Sequence, residues 1–492
     1  MKLIATFDVG TTAVKGVLVS KKGDVIYSES INIDTIFIDE YKEQMPSQWY
    51  EAFCEISRNF FEKHCTPNDI IGIIMSGQMQ DLILVDEDIK PIYNAILYSD
   101  NRASEQAKKI ISHIGEDKIN EVTGNNFDGS LPLAKLLWVK ENNKDIFNKI
   151  YKVMISSKDY CVTKLTNECV TDVTSAATSG MMDIITKQWE NGFLESLNID
   201  SNILPQLKYA HEQAGFVTEQ ASKECMYNAG TPVYTGTGDA GATTLASGLS
   251  KVGEFNINIG TSGWVACIGE KPMNREGVFN LAGVPFDTII TVVPFLNAGN
   301  VHKWISWLLS SEDDENKYEY VSKLLDKSVC GSNGLMFLPY LAGERFPVMD
   351  GNTKGCYIGI TPETSKSDMV RACLEGVAFS IRQGIELIGI KPEKISLIGG
   401  GAKSHTWCQI MSDMLNMEVQ VYGDSEYMPA IATAASVLLD MNYINGYSEF
   451  IKSVQQSQSN VVYKPVAKNV EYYNNIFKKY KNIYVSVKRL FI

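Results

Sequence analysis

Residues 3–18 read Leu3-Ile-Ala-Thr-Phe7-Asp8-Val-Gly10-Thr11-Thr12-Ala-Val-Lys15-Gly-Val-Leu18, and residues 254–268 read Glu254-Phe-Asn-Ile-Asn258-Ile-Gly260-Thr261-Ser262-Gly263-Trp-Val-Ala-Cys-Ile268. Each is an apolar, β-rich run, then Gly-Thr-Thr or Gly-Thr-Ser, then a second β-rich run, and Gly10 and Gly260 lie 250 residues apart. Such a pattern reads as a β-hairpin with small hydroxyl residues in its turn. Glycine allows close approach of the backbone, and the N–H groups and hydroxyls of the turn suit phosphate oxygens. A single copy is an ordinary hairpin turn. Two matched copies imply two related domains facing one another across a cleft, each offering one phosphate-binding turn.

The segments around the hairpins fit an α/β chain in which strands alternate with helices. Ile70 to Met75 is a short apolar strand ending at Ser76-Gly77, and Lys394 to Ile398 is another, running into Gly399-Gly400-Gly401-Ala402. Ser404 then reads as the N-cap of a helix on which Trp407, Ile410, Met411, Met414 and Leu415 make one buried stripe. Three glycines after a strand let a nucleoside lie against the backbone, the alternative being a tight turn with no ligand. The spacing is not Gly-x-Gly-x-x-Gly, which excludes a dinucleotide fingerprint. Small residues crowd together from Ala240 to Gly253, so the expected domains are 1–246 and 247–492. The Tyr- and Lys-rich stretch from Tyr472 to Arg489 reads as a surface helix with its aromatics inward.

Composition narrows the function. The 492 residues are 45% hydrophobic and 21% charged, the profile of a soluble globular protein. Fifty-eight acidic against 45 basic side chains give a formal net charge of −13, which repels nucleic acid and anionic lipid. Ten scattered cysteines without a Cys-x-x-Cys pair read as reduced thiols of a cytoplasmic protein, and five histidines show no His-x-x-x-His spacing. Asp8 precedes any signal-peptide core and no run approaches 18 apolar residues, so neither export nor a membrane span is expected.

Asp8, at the end of a strand, and Asp239, in Gly236-Thr-Gly238-Asp239-Ala-Gly241, read as acids of a cleft or, taken singly, as turn residues. Phosphoryl transfer needs a base at the acceptor hydroxyl, a metal at the phosphates and backbone donors for developing charge, and these residue types are all present. Gly77-Gln78-Met79-Gln80-Asp81 and Tyr98-Ser99-Asp100-Asn101-Arg102 follow apolar stretches and read as the lining of a pocket for a polyhydroxylated substrate. For the second, the competing reading is a loop with an Asp100–Arg102 surface pair of little energetic weight. Glu344 and Arg345 offer adjacent opposite charges to brace a cleft.

In order along the chain, Phe7-Asp8-Val-Gly10-Thr11-Thr12, Glu43-Gln44-Met-Pro46-Ser-Gln-Trp49, Ser76-Gly77-Gln78-Met79, Lys158-Asp159-Tyr160 with Leu165-Thr166-Asn167 and Thr171-Asp172, Gly236 to Asp239, Gly260-Thr261-Ser262-Gly263, Phe337 to Arg345, Leu374-Glu375-Gly376 and Gly399 to Ser404 resemble the motifs of the FGGY family of carbohydrate kinases. The resemblance spans essentially the whole chain. It implies two ribonuclease H-like domains of the actin/hexokinase superfamily around a deep catalytic cleft, with sugar mostly on the first and ATP mostly on the second. By resemblance, Asp239 is the general base, and Asp8 with Asp239 holds Mg²⁺. Gly10, Thr11, Thr12 and Lys15 face Gly260, Thr261 and Ser262 across the ATP phosphates, and Gly400, Gly401 and Ala402 pack on adenosine. Gln78, Met79, Gln80, Asp100 and Arg102 would contact the sugar.

Within the family the sugar segment is most similar to xylulose kinases, whose pattern Gln-Met-His-Gly here reads Gln78-Met79-Gln80-Asp81. Gln80 keeps a donor and an acceptor in place of the imidazole. Asp81 in place of glycine is expected to bring negative charge to the pocket and disfavour a sugar acid. The expected acceptor is a ketose or polyol, xylulose first, with gluconate, sedoheptulose, ribulose and erythritol as alternatives, and a non-catalytic sugar sensor or filament as the alternative outside the class. Sugar and ATP are the implied partners, and homodimers are common among relatives.

Overall fold

The hairpin that opens the chain is the centre of the first sheet. The computed structural model describes residues 1–285, 287–311, 316–422, 427–457 and 460–491. Strands β1 (Leu3–Val9), β2 (Ala13–Ser20), β3 (Val25–Asn32), β4 (Ile70–Gly77), β5 (Gln213–Phe216), β6 (Pro232–Tyr234) and β7 (Thr237–Gly238) form it in the order β5-β6-β4-β1-β2-β3, with β7 also on β4. β1, β4, β6 and β7 run parallel, while β2, β3 and β5 are antiparallel to their neighbours.

Side chains alternate across a strand, so β1 feeds two cores. Leu3, Ala5, Phe7 and Val9 pack toward α1 (Pro46–Lys63), where Trp49, Phe53, Ile56 and Phe60 repeat at helical spacing and are fully buried. Each such large apolar side chain contributes about 1.5–3 kcal/mol by leaving water. Helix α2 (Pro132–Asn142) belongs to a further cluster beside the sheet, and α3 (Ser157–Thr166) joins α1. Ile4 points the other way, onto a layer built with α4 (Asp239–Ala246).

The second sheet repeats the first. Strands β8 (Glu254–Ile259), β9 (Gly263–Gly269), β10 (Phe279–Ala282), β11 (Ile289–Phe295), β12 (Lys394–Ile398), β13 (Val419–Tyr422) and β14 (Asn460–Tyr463) take the order β10-β11-β9-β8-β12-β13-β14. β8, β12 and β13 are parallel, as β1, β4 and β6 are, and β14 caps one edge antiparallel as β5 does. The expected pair of ribonuclease H-like cores is thus present, each with its Gly-hydroxyl hairpin at the middle. Helices α5 (Gly299–Leu309), α6 (Lys366–Ile388) and α7 (His405–Leu415) cover one face. Ser404 caps α7 by accepting from Trp407 N, as its sequence implied.

One stretch crosses back. Helices α8 (Met428–Asp440) and α9 (Tyr447–Ser457), late in the chain, pack on Ile4, Val17, Ile74 and Tyr234 of the first sheet. Helix α10 (Ala467–Tyr480) returns to the second core with Tyr473, Phe477 and Tyr480 buried. Among the described residues no helix is long and apolar enough to cross a membrane.

Candidate active site

Strand register brings the two acids together. Asp8 on β1 pairs with Ser76 on β4, and Ser76 pairs with Thr237 on β7, two residues before Asp239. The fit is close because of glycine. At Gly236, whose φ is +70°, a Cβ would sit 1.9 Å from Met75 O, and at Gly238 it would sit 2.2 Å from Met79 Sδ. Asp239 then starts α4, its Oδ1 accepting from Ala240 N at 2.7 Å. It is ringed by protein yet exposed. Desolvation first, then the charges of Asp8 and Asp172, push its pKa up to about 7, against the Ala240 N–H. Asp8 accepts from Ser76 Oγ at 2.9 Å, and desolvation raises it above the usual carboxylate range despite Ser76 and Lys15.

A buried network behind Asp239 carried no assigned role in the sequence reading. Lys158 Nζ lies 2.6 Å from Asp159 Oδ1 and 2.8 Å from Asp172 Oδ1, all three side chains at most 1% exposed. Asp172 Oδ2 accepts from Ser175 N (3.1 Å), Thr237 Oγ1 (3.2 Å) and Gly238 N (3.3 Å). Burial is compensated only by this full pairing. The signal available in sequence was the spacing of Lys158-Asp159 and Thr171-Asp172 within one block.

Both hydroxyl turns keep residues open to solvent. In the first, Gly10 N donates to Ala13 O, and Thr11 Oγ1 is committed to Gln78 Oε1 at 2.6 Å, leaving Thr12 exposed. In the second, Thr261 and Ser262 are exposed and the turn is buttressed by α5, with Gly299 N on Gly260 O and Asn300 N on Thr261 O. A cavity of about 650 Å³ brings Gly260 and Thr261 together with Gly400 and Gly401, and Ser262 and Ala402 flank it in the chain. Gly399, φ +88°, and Gly401 lie so close to Ile259 that a Cβ would approach its atoms to 2.6 Å in either case. Lys15 lies near enough to Asp8 to lower its pKa, and near the Tyr427 ring at 5.6 Å.

Beside the segment expected to meet the sugar, a cavity of about 710 Å³ is lined by Gln80, Tyr98, Ser99, Asn101, Asp128 and Ser130 among others, with Arg345 entering from the second half. Of the five candidate sugar residues only Gln80 lines it. Gln78 is buried and bound to Thr11 and Gln44, and Met79 is buried against Gly238. Asp100 and Arg102 are not a surface pair: both side chains are fully buried, in a fork at 2.9 and 2.7 Å, with Arg102 also 2.8 Å from Glu43 and its guanidinium over the Tyr41 ring. They hold the loop whose Tyr98, Ser99 and Asn101 form the wall.

Asp81 departs from its expectation. It is fully buried, accepts from Tyr98 N at 3.0 Å, and lies outside the cavity lining; burial raises its pKa, opposed by the neighbouring Lys135, and its carboxyl does not face the pocket. Glu344 does not pair its charge with Arg345: it is buried and ties its own turn to the end of β11, accepting from Leu296 N and Asn297 Nδ2, while Arg345 lines the cavity.

The profile of the N-terminal domain of the FGGY family of carbohydrate kinases matches residues 3–246, and that of its C-terminal domain matches residues 255–430. The chain belongs to the FGGY family of carbohydrate kinases. It is similar to a xylulose kinase of Staphylococcus xylosus, 34% identical over 98% of this chain and 100% of that protein. A gluconokinase of Bacillus subtilis strain 168 is 31% identical over 84% of this chain and 83% of its own length. Among solved structures, a ligand-bound xylulose kinase from Lactobacillus acidophilus superposes with a TM-score of 0.90 at 26% identity, covering 100% of this chain and 99% of that one. As an FGGY protein most like xylulose kinases, the chain is a sugar kinase, a phosphotransferase.

Proposed function

We propose that this kinase transfers the γ-phosphate of ATP to a hydroxyl of a neutral ketose or polyol, with xylulose the first substrate to test. The observation that carries the reading is the register that sets Asp239 near Asp8 at the end of the first sheet, with an exposed hydroxyl turn in each half of the chain. Asp239 is the general base: a carboxylate poised near pH 7 both holds enough of its ionised form and has the basicity to take a proton. The acceptor oxygen bonds to the γ-phosphorus as the bond to ADP breaks, and the hydroxyl proton passes to Asp239 Oδ2. Thr12 with Gly10, and Thr261 and Ser262 with Gly260, meet the phosphates, while Gly400, Gly401 and Ala402 take the adenosine. Thr11 acts through its bond to Gln78, and Gln78, Met79, Asp100 and Arg102 act on the sugar from behind the wall that Gln80 faces.

The donor set fits Mg²⁺, which takes one or two carboxylates and completes its shell with phosphate oxygens and water. Desolvation raises the pKa of both Asp8 and Asp239, and the charge of Asp8 adds to the rise at Asp239, a crowding of negative charge that a cation beside them relieves. Mg²⁺ held there with ATP would neutralise charge on the phosphates. The division 1–246 and 247–492 separates the two sheets, with α8 and α9 returning to the first. All ten cysteines are free thiols, which supports a cytoplasmic location.

The gluconokinase relative favours a second reading, a sugar acid as acceptor. ADP release measured with Mg²⁺ and ATP across ketoses, polyols and sugar acids decides between them. A ketose that raises the rate far above background in the wild type, and does not in Asp239→Asn, supports the proposal; turnover of gluconate alone supports the second reading.

A further inference from the structure

We infer that Ser130 and Asp128 set the acceptor specificity of this site by fixing which end of the Gln80 amide meets the sugar. The inference rests on the sugar-kinase reading and goes on to name the chemistry the pocket selects. Gln80 Nε2 lies 2.6 Å from Ser130 Oγ, and Ser130 Oγ in turn reaches Asp128 Oδ1, which also accepts from Ser130 N at 2.7 Å.

The direction of this chain follows from its last member. An ionised carboxylate only accepts hydrogen bonds, so the single hydroxyl proton of Ser130 goes to Asp128. Ser130 then has only lone pairs for Gln80, and the end of the amide turned to it must be the NH₂. Oε1, on a side chain that lines the cavity, is left without a hydrogen-bond partner among the described residues, free to meet a ligand there. A free glutamine can present either end to a ligand; this one presents an acceptor.

The backbone supports the arrangement. Gln80 sits at φ +66°, a left-handed conformation that a non-glycine residue rarely adopts. Its carbonyl accepts from Lys135 Nζ at 3.0 Å, and Asp81 N donates to Ile155 O at 3.0 Å. On the other side Gly129 packs so tightly that a Cβ would lie 2.5 Å from Ser104 N. Both ends of the relay are therefore held, and strain of this kind persists where the surroundings enforce it.

An acceptor at this point bonds a hydroxyl, which has a proton to give, and repels a carboxylate, which has none. The pocket therefore selects neutral polyhydroxy acceptors over sugar acids of similar length, and it does so through Ser130, which lines the cavity beside Gln80 and acts by orienting its amide. Ser130 and Asp128 are positioning residues for Gln80.

The test is the ratio of kcat/KM for D-xylulose to that for D-gluconate in the wild type, Ser130→Ala and Asp128→Asn, with melting temperatures to confirm folding. Ser130→Ala keeps the Asp128 charge and releases the amide, so the ratio is expected to fall about tenfold, the scale of one hydrogen bond, with Asp128→Asn falling at least as far. A wild type that prefers gluconate overturns the inference. So does a ratio that falls only in Asp128→Asn, which would mean direct charge repulsion, and so does a ratio unmoved by either change. In these cases turnover of a sugar leaves the kinase reading standing, whereas a wild type that phosphorylates no sugar overturns both.

Discussion

Asp172 is the residue whose replacement should most clearly separate folding from chemistry. Its Oδ2 holds Gly238 N, Thr237 Oγ1 and Ser175 N, while Oδ1 faces Lys158 at 2.8 Å. In Asp172→Asn the amide must turn its NH₂ either toward Lys158 or toward the two N–H groups, and either choice opposes donor to donor. Removing one partner of a buried pair costs about 3–5 kcal/mol, and because Lys158 keeps Asp159 the loss should fall at the lower end, about 3 kcal/mol. Thr237→Val removes one buried hydrogen bond, about 1 kcal/mol. The catalytic effect is expected to be larger than these losses suggest, since Gly238 directly precedes Asp239, the proposed base, and a shift of about 1 Å can cost a factor of about 100. We expect kcat to fall about tenfold in Thr237→Val and about 100-fold in Asp172→Asn, with KM for ATP and sugar little changed and Thr237→Ser close to wild type. The Asp172 charge also helps raise Asp239, so in Asp172→Asn the acid limb of the pH profile should move to lower pH. Denaturant melts and steady-state kinetics between pH 5 and 9 measure all three. Variants that lose the stability but keep wild-type kcat would refute the positioning argument.

Asp239→Asn should lower kcat by about 10²–10⁴, the usual contribution of a general base. The folded Asp239 titrates near 7 and the unfolded one at the ordinary carboxylate value, so the folded state binds more protons between the two and stability falls as pH rises through that window. The Asn variant should therefore melt higher than wild type at pH 8, with the difference vanishing at pH 4; equal melting at pH 8 would count against the raised pKa. Arg102→Lys loses the fork on Asp100 and the packing over Tyr41, and should destabilise by about 3 kcal/mol while raising KM for the sugar more than it lowers kcat. Gly401→Ala drives a methyl to within 2.6 Å of Ile259 beside the second hairpin; about 1–3 kcal/mol of strain is expected, with a raised KM for ATP and an unchanged KM for sugar.

The two hairpins, the strand before Gly399 and the cap at Ser404 were legible because each is a local pattern, written in neighbouring residues and confirmed by neighbouring hydrogen bonds. The pairing of Asp8 with the Asp239 segment was legible only as a shared residue type in similar settings. Gln78 and Thr11 were read as ligands of sugar and ATP, but their side chains meet each other, which depends on β1 and β4 lying side by side.

By itself, then, the order of residues determined two α/β halves and their hydroxyl turns, since backbone propensity, glycine geometry and hydroxyl placement act over a few residues, and its resemblance to the family gave the class of chemistry. Only the tertiary structure decided that Asp100 and Arg102 are wall supports, that Asp81 is buried away from the pocket, that α8 and α9 serve the first sheet, and that Gln80, Ser130 and Asp128 lie in one hydrogen-bonded row. Each of these depends on desolvation and on partners tens to hundreds of residues away, and a side chain's charge, reach and exposure are set by what surrounds it in space.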